Sequence, residues 1–236
     1  MMRKLLGAVS LSAGMLAAWF GSASAADMKF KAPPPPPAPV YNWTGFYIGA
    51  HAGGDSDNDN FNFVPAGTST SNSANSFIGG GQVGYNFQVS SWVLGVEGDG
   101  SWTNLASGAP CPNPFFTCSH SIGWLASLRG RLGYLATGQA LFYVTGGAGF
   151  SDVNHTALPP GVAPFVFTGT YSNTQVGYAV GGGLEYAIAQ HWSVRVEDLY
   201  YGLGSSTAAP GTLSAANSTK VTNNVNTLDF GVNYHF

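Results

Sequence analysis

Charge is scarce in this sequence. Lysine, arginine, aspartate and glutamate make up 8 % of 236 residues, against roughly 25 % in ordinary soluble domains. That is too little to clothe a soluble globule of this size, and a net charge of −3 leaves no basic surface for nucleic acid. Long apolar runs are missing as well. Past residue 30 no stretch approaches the eighteen or so apolar residues of a spanning helix, so a helical membrane protein is excluded. Cysteine occurs twice, at Cys111 and Cys118. What the chain has instead is glycine, 33 residues and about twice the usual share, together with 14 % aromatics. Low charge, abundant glycine and abundant aromatics together fit a β-barrel that crosses an outer membrane.

The segment "SIGWLASLRGRLGYL" (121–135) shows how. Taken two by two, Ile122, Trp124, Ala126, Leu128, Leu132 and Tyr134 fall on one parity. Ser121, Leu125, Ser127, Arg129 and Arg131 fall on the other. A period of two is a strand with one face to lipid and one to an interior. Seven further segments alternate in the same way: 44–54, 77–88, 92–102, 141–151, 175–188, 191–203 and 226–236. The segments between them alternate in length. Those near Ser90, at Ala136–Gln139 and at Ala189–Gln190 are short, whereas 55–76, 103–120, 152–174 and 204–224 run to about twenty residues. The expectation is an all-β fold: an eight-stranded antiparallel transmembrane β-barrel with short periplasmic turns and four long extracellular loops. Trp92 and Trp102, like Trp124 and Tyr134, stand at strand ends, as two interfacial girdles require.

The N-terminus carries an export signature. Arg3 and Lys4 precede an apolar stretch, Leu5 to Phe20, and Ala23-Ser24-Ala25 has the small-x-small form of a cleavage site. The expected organisation is a signal peptide (1–25), a Pro-rich periplasmic segment (26–43) containing "KAPPPPPAP", and the barrel (44–236). The prolines favour an extended, stiff tail.

Taken together, "PAPVYNWTGFYIGAHAGG", "FIGGGQVGYNFQ", "WVLGVEGD", "LRGRLGY", "FYVTGGAGF" and the terminal "FGVNYHF" resemble the small outer-membrane immunogenic proteins of alphaproteobacteria, the RopB-type porin family. The resemblance runs from the signal peptide to Phe236. It implies an abundant, surface-exposed eight-stranded barrel; the porin label by itself does not establish conductance. It also implies an aromatic or apolar residue after the glutamate of the seventh strand, where this chain has Asp198 on the lipid parity. Asp198 is therefore expected at an interface or at a β-bulge.

Eight strands enclose only enough room for side chains. The inward parity collects Glu97, Asp99, Arg129, Arg131, Glu185, Arg195, Glu197 and Asp229. Adjacency of the third and fourth strands predicts pairing of Glu97 and Asp99 with Arg129 and Arg131, and adjacency of the sixth and seventh predicts Glu185 beside Arg195. Such a paired interior plugs the barrel. The alternative is a narrow porin passing ions or small solutes. Cys111 and Cys118 share the second long loop, and an oxidising compartment predicts a disulfide between them. Phe236 ends the last strand, as the outer-membrane assembly machinery prefers.

Other patterns fail on context. Gly79, Gly81 and Gly84 match G-x-G-x-x-G but no helix follows. "DSDNDN" lacks the glycine and the distal glutamate of a calcium loop. Ser193, His191 and Glu185 form a hydrolase-like set, but beside a short periplasmic turn, at the wrong end for surface lipid chemistry. No catalytic residues, metal ligands or cofactors are expected. The expected partners are outer-membrane lipids and lipopolysaccharide, the assembly machinery and periplasmic chaperones, and an extracellular ligand for the loops. Their apolar spots are "PNPFF" (112–116) and "PPGVAPFVF" (159–167).

Overall fold

The computed structural model describes residues 41–64, 67–110, 117–158, 169–208 and 218–236. The signal peptide, most of the Pro-rich segment, both apolar loop spots and Cys111 lie outside them, and with Cys111 the expected disulfide to Cys118. Eight strands follow in order: β1 (Gly45–Val64), β2 (Thr68–Val89), β3 (Trp92–Pro110), β4 (Thr117–Leu135), β5 (Ala140–Leu158), β6 (Gly169–Ala189), β7 (Trp192–Ala208) and β8 (Ser218–His235). Each pairs antiparallel with its sequence neighbours, and β1 pairs with β8 to close the barrel. Closure leaves no edge strand, which is what the hydrocarbon layer demands of a sheet.

The strands outrun the alternating segments. In place of a loop at 55–76, β1 and β2 stay in register up to Phe63↔Thr68. β1 also keeps its partner on the other side up to Val64↔Ser218. The Ser-, Thr- and Asn-rich sequence there lacks apolar alternation, but β1 is held between β2 and β8 and carries β2 with it, so pairing continues beyond the apolar band. The result is a polar collar. At the opposite end the hairpins are tight: Val89 pairs with Trp92 directly, and Ser90 between them adopts φ 56°.

The apolar parity faces outward. Phe46, Val83, Leu94, Leu128, Val144, Val176, Val196 and Phe230 are all exposed. On β4, however, the parity breaks. Ile122 is buried, Gly123 and Trp124 face outward, and Leu125 is buried again. The β3–β4 register slips between Trp102 and Leu105 and the β4–β5 register between Ile122 and Leu125. A bulge adds a residue and swaps faces; Ile122 therefore points into the barrel, contrary to the strict alternation expected of it.

Asp198 shows no such slip; the nearest on β7 lies between Gly202 and Ser205. Its outward side chain is level with Leu228, and the next outward pair is Tyr200 with Asn226, where β8 turns polar. On the β8 side this is the extracellular edge of the apolar band; on the β6 side Asp198 is registered opposite Gly182, and the exposed Val180, Tyr178 and Val176 continue the band beyond it.

Candidate functional site: the barrel lumen

Three layers fill the lumen. The middle one is charged. Glu97 on β3 stands directly opposite Arg129 on β4, which is why this pair forms. Arg129 Nη2 donates to Glu97 Oε1 at 2.7 Å, Asp99 Oδ1 at 3.0 Å and Glu197 Oε1 at 3.1 Å. Arg195 Nη1 donates to Glu97 Oε2 at 2.7 Å, and its Nη2 lies 3.6 Å from Glu197 Oε1. Two tyrosines complete the carboxylates: Tyr47 donates to Glu97 at 2.6 Å and Tyr143 to Glu197 at 2.8 Å. Asp99 also accepts from Ser127, and from Tyr201 at 3.4 Å.

Strand adjacency alone does not choose the other partners. Glu185 is registered opposite Arg195, yet its ion-pair partner is Arg131 on β4, two strands away with β5 between them. Arg131 therefore does not bond Glu97 or Asp99 as adjacency predicted; its guanidinium lies 3.6 Å from the centre of the Tyr143 ring. Glu185 further accepts from Ser193 at 2.5 Å and Asn233 at 2.8 Å. Asp229 stands outside the arginine cluster and accepts from Thr227 at 3.0 Å. In a barrel this narrow an arginine reaches across the interior as readily as along the wall.

Glycines give the tyrosines room. A Cβ on Gly84 would meet Tyr47 Cζ at 2.4 Å, and one on Gly183 would meet the Tyr143 hydroxyl at 2.6 Å.

The layers above and below are apolar. On the extracellular side Ile78, Leu105, Ile122, Leu125, Val153, Ala179, Leu199, Leu203 and Val225 pack inside the barrel. On the periplasmic side Tyr41, Trp43, Val93, Leu141, Tyr143 and Ala187 pack together. Trp43 belongs to the segment expected as a tail, but it is fully buried. Its backbone amide donates to Gln88 Oε1 at 3.0 Å and its indole to Gly138 O at 3.4 Å, tying it to two periplasmic turns. Its ring meets His235 of the closing strand edge-on at 5.7 Å. Sequence reasoning passed over these layers, although the signal was present: Val93, Leu125, Leu141 and Leu199 are apolar residues on the inward parity.

The hydrolase-like set is rearranged. His191 is exposed, and its Nδ1 meets the His235 carbonyl at 2.9 Å. The imidazole beside Ser193 is that of His235, at 3.1 Å. The serine hydroxyl donates to Glu185, a carboxylate already paired with Arg131, and Ser193 has no exposed surface. This is the bonding of a structural network, with the hydroxyl hydrogen directed to a carboxylate that already holds an arginine.

Above the upper apolar layer lies a smaller polar group. Thr103 donates to Asp55 at 2.5 Å, and Asp57 Oδ2 lies 2.8 Å from His120 Nε2. His155 is registered opposite His120. Burial, with His120 adding to it, lowers the His155 imidazole to a pKa of about 4.

A barrel closed at β1–β8, apolar outside and ion-paired inside, is the architecture of an outer-membrane protein. A family model described as the outer membrane protein beta-barrel domain matches residues 13–236. The chain belongs to that family. It is 33 % identical to the 31 kDa outer-membrane immunogenic protein of Brucella melitensis biotype 1, over 94 % of this chain and 97 % of that one. It is 31 % identical to the 22 kDa outer membrane protein of Rhizobium leguminosarum bv. viciae, over 67 % of this chain and 64 % of that one. Among solved structures, the outer membrane protein OprG from Pseudomonas aeruginosa matches with a TM-score of 0.51 at 14 % identity, over 84 % of this chain and 99 % of that one; at that identity the likeness is one of fold. The protein is an integral outer-membrane β-barrel, and the resemblance to immunogenic outer-membrane proteins seen in its sequence motifs is borne out.

Proposed function

We propose that this barrel is sealed, and that it serves the cell by stabilising the outer membrane and presenting its extracellular collar and loops as an interaction surface. One observation carries the reading: the lumen is filled in series by an aromatic stopper, an arginine–carboxylate layer and an apolar layer. Ions crossing it would have to part buried ion pairs and then pass aliphatic side chains, which oppose a continuous water column. The narrow-porin alternative finds no support in that packing. A non-enzymatic role accords with the bonding of Ser193 and with relatives named for immunogenicity.

In this reading the partners are outer-membrane lipids and lipopolysaccharide around the apolar band, and an extracellular ligand at the collar. The assembly machinery, with periplasmic chaperones, engages the strand that ends at Phe236. Purified protein in planar bilayers is expected to give at most rare, brief openings. Steady, reproducible channels would overturn the sealed reading and restore the porin.

A further inference from the structure

The charged layer accounts for the arginines, but not for the polar group above the upper apolar layer. There, Asp57 on β1 touches His120 on β4, and His155 on β5 lies beside His120, inside the collar. His120 on β4 and His155 on β5 are a directly registered cross-strand pair, and both side chains point inward and are buried. Their rings lie 6.0 Å apart, centre to centre. Asp57 reaches the same place from β1, across the lumen, with Oδ2 at 2.8 Å from His120 Nε2; both side chains have no exposed surface. Each sits one inward position beyond a residue already placed: Asp57 beyond Asp55, His120 beyond Ile122, His155 beyond Val153.

We propose that Asp57, His120 and His155 form a binding site for a divalent transition-metal ion of the zinc type at the extracellular end of the lumen. Two imidazoles and one carboxylate are the donors that zinc, cobalt, nickel and copper take, whereas calcium and magnesium prefer oxygen alone. Opposed positions on neighbouring strands hold two side chains about 5 Å apart at Cβ, close enough for both rings to reach one ion. The three arginines of the lumen belong to the charged layer beneath the apolar one, so none occupies this group. Among the described residues no ready-made set of three or more ligands stands at coordinating geometry. Here Asp57 and His120 touch directly, so the ion takes the place of that contact and His155 turns toward it. Asp55, the next inward residue on β1, is held by Thr103 and lies within the same polar group. Once bound, the ion ties β1 to β4 and β5 across the collar.

The test uses the full-length protein without a histidine tag, refolded in detergent micelles, with Co2+ as the probe and Zn2+ as competitor. One saturable Co2+ per chain is expected, with visible ligand-field absorption that Zn2+ abolishes. His155→Gln and Asp57→Asn should each weaken binding by at least about tenfold, the loss that even a group outside the coordination sphere produces. His191→Gln, at the periplasmic end, should leave it unchanged. Heat-modified gel mobility checks that each variant is folded. Should the lumen variants not fold, Cu2+ bound to the unmutated protein must still show two coordinated imidazole nitrogens by electron paramagnetic resonance. Absence of saturable binding, binding that survives His155→Gln in folded protein, loss of binding in His191→Gln, or fewer than two imidazoles on Cu2+ would each overturn the site.

Discussion

Replacing Arg129 with alanine tests the charged layer where it is densest. Its guanidinium touches three carboxylates, those of Glu97, Asp99 and Glu197. Two of them keep a cation afterwards: Glu97 retains Arg195 at 2.7 Å, and Glu197 retains it at 3.6 Å. Asp99 does not. It keeps only the neutral donors Ser127 and Tyr201. Stranding one buried charge costs about 3–5 kcal/mol, and the surviving hydroxyl bonds place Arg129→Ala near the lower end, about 3 kcal/mol. In urea titration from lipid vesicles, a slope of about 1–3 kcal/mol per molar converts that loss to a midpoint lower by about 1–3 M. Neutralising the stranded group should return part of the loss: Asp99→Asn in the Arg129→Ala background is expected to be more stable than Arg129→Ala alone, with a coupling of about 0.5–3 kcal/mol. A single variant within about 0.5 kcal/mol of wild type, or a double variant no better than the single, would refute the reasoning that Arg129 offsets the buried carboxylate of Asp99.

Leu128, which is 63 % exposed on the outer wall, should cost about 2–4 kcal/mol when changed to arginine, read by the same titration. Trp43→Ala empties a fully buried site in the periplasmic stopper; a loss of about 3–5 kcal/mol is expected, and hydrogen exchange should rise in the turns at Gln88 and Gly138. In metal-free protein, His155 gives the collar a pH dependence. The unfolded chain takes up the proton near 6.5 and the folded one only near 4, so its contribution is complete above about 6.5, falls as pH drops toward 4 and levels below. The change is about 3 kcal/mol, set among Asp55, Asp57 and His120, and His155→Gln should flatten that part of the stability–pH curve.

Alternation is a local property. Successive side chains on a strand point to opposite faces whatever the rest of the chain does, so the sequence by itself determined eight strands, a lipid-facing parity and an interior that gathers the charges. It determined the compartment too, because a chain with 8 % charged residues and no spanning helix has few other ways to be stable. Three things waited for the tertiary structure. The face of Ile122 depended on a register slip, which arises from how neighbouring strands meet. Strand pairing through the Ser- and Asn-rich collar depended on the β1–β2 and β1–β8 ladders already formed beneath it. The choice of Arg131 for Glu185 and of Arg195 for Glu97 was beyond any pattern along the chain, since the pairs lie 54 and 98 residues apart. Closing the sheet into a narrow barrel fixes strand tilt and stagger together. That closure alone decides which side chains meet across the lumen.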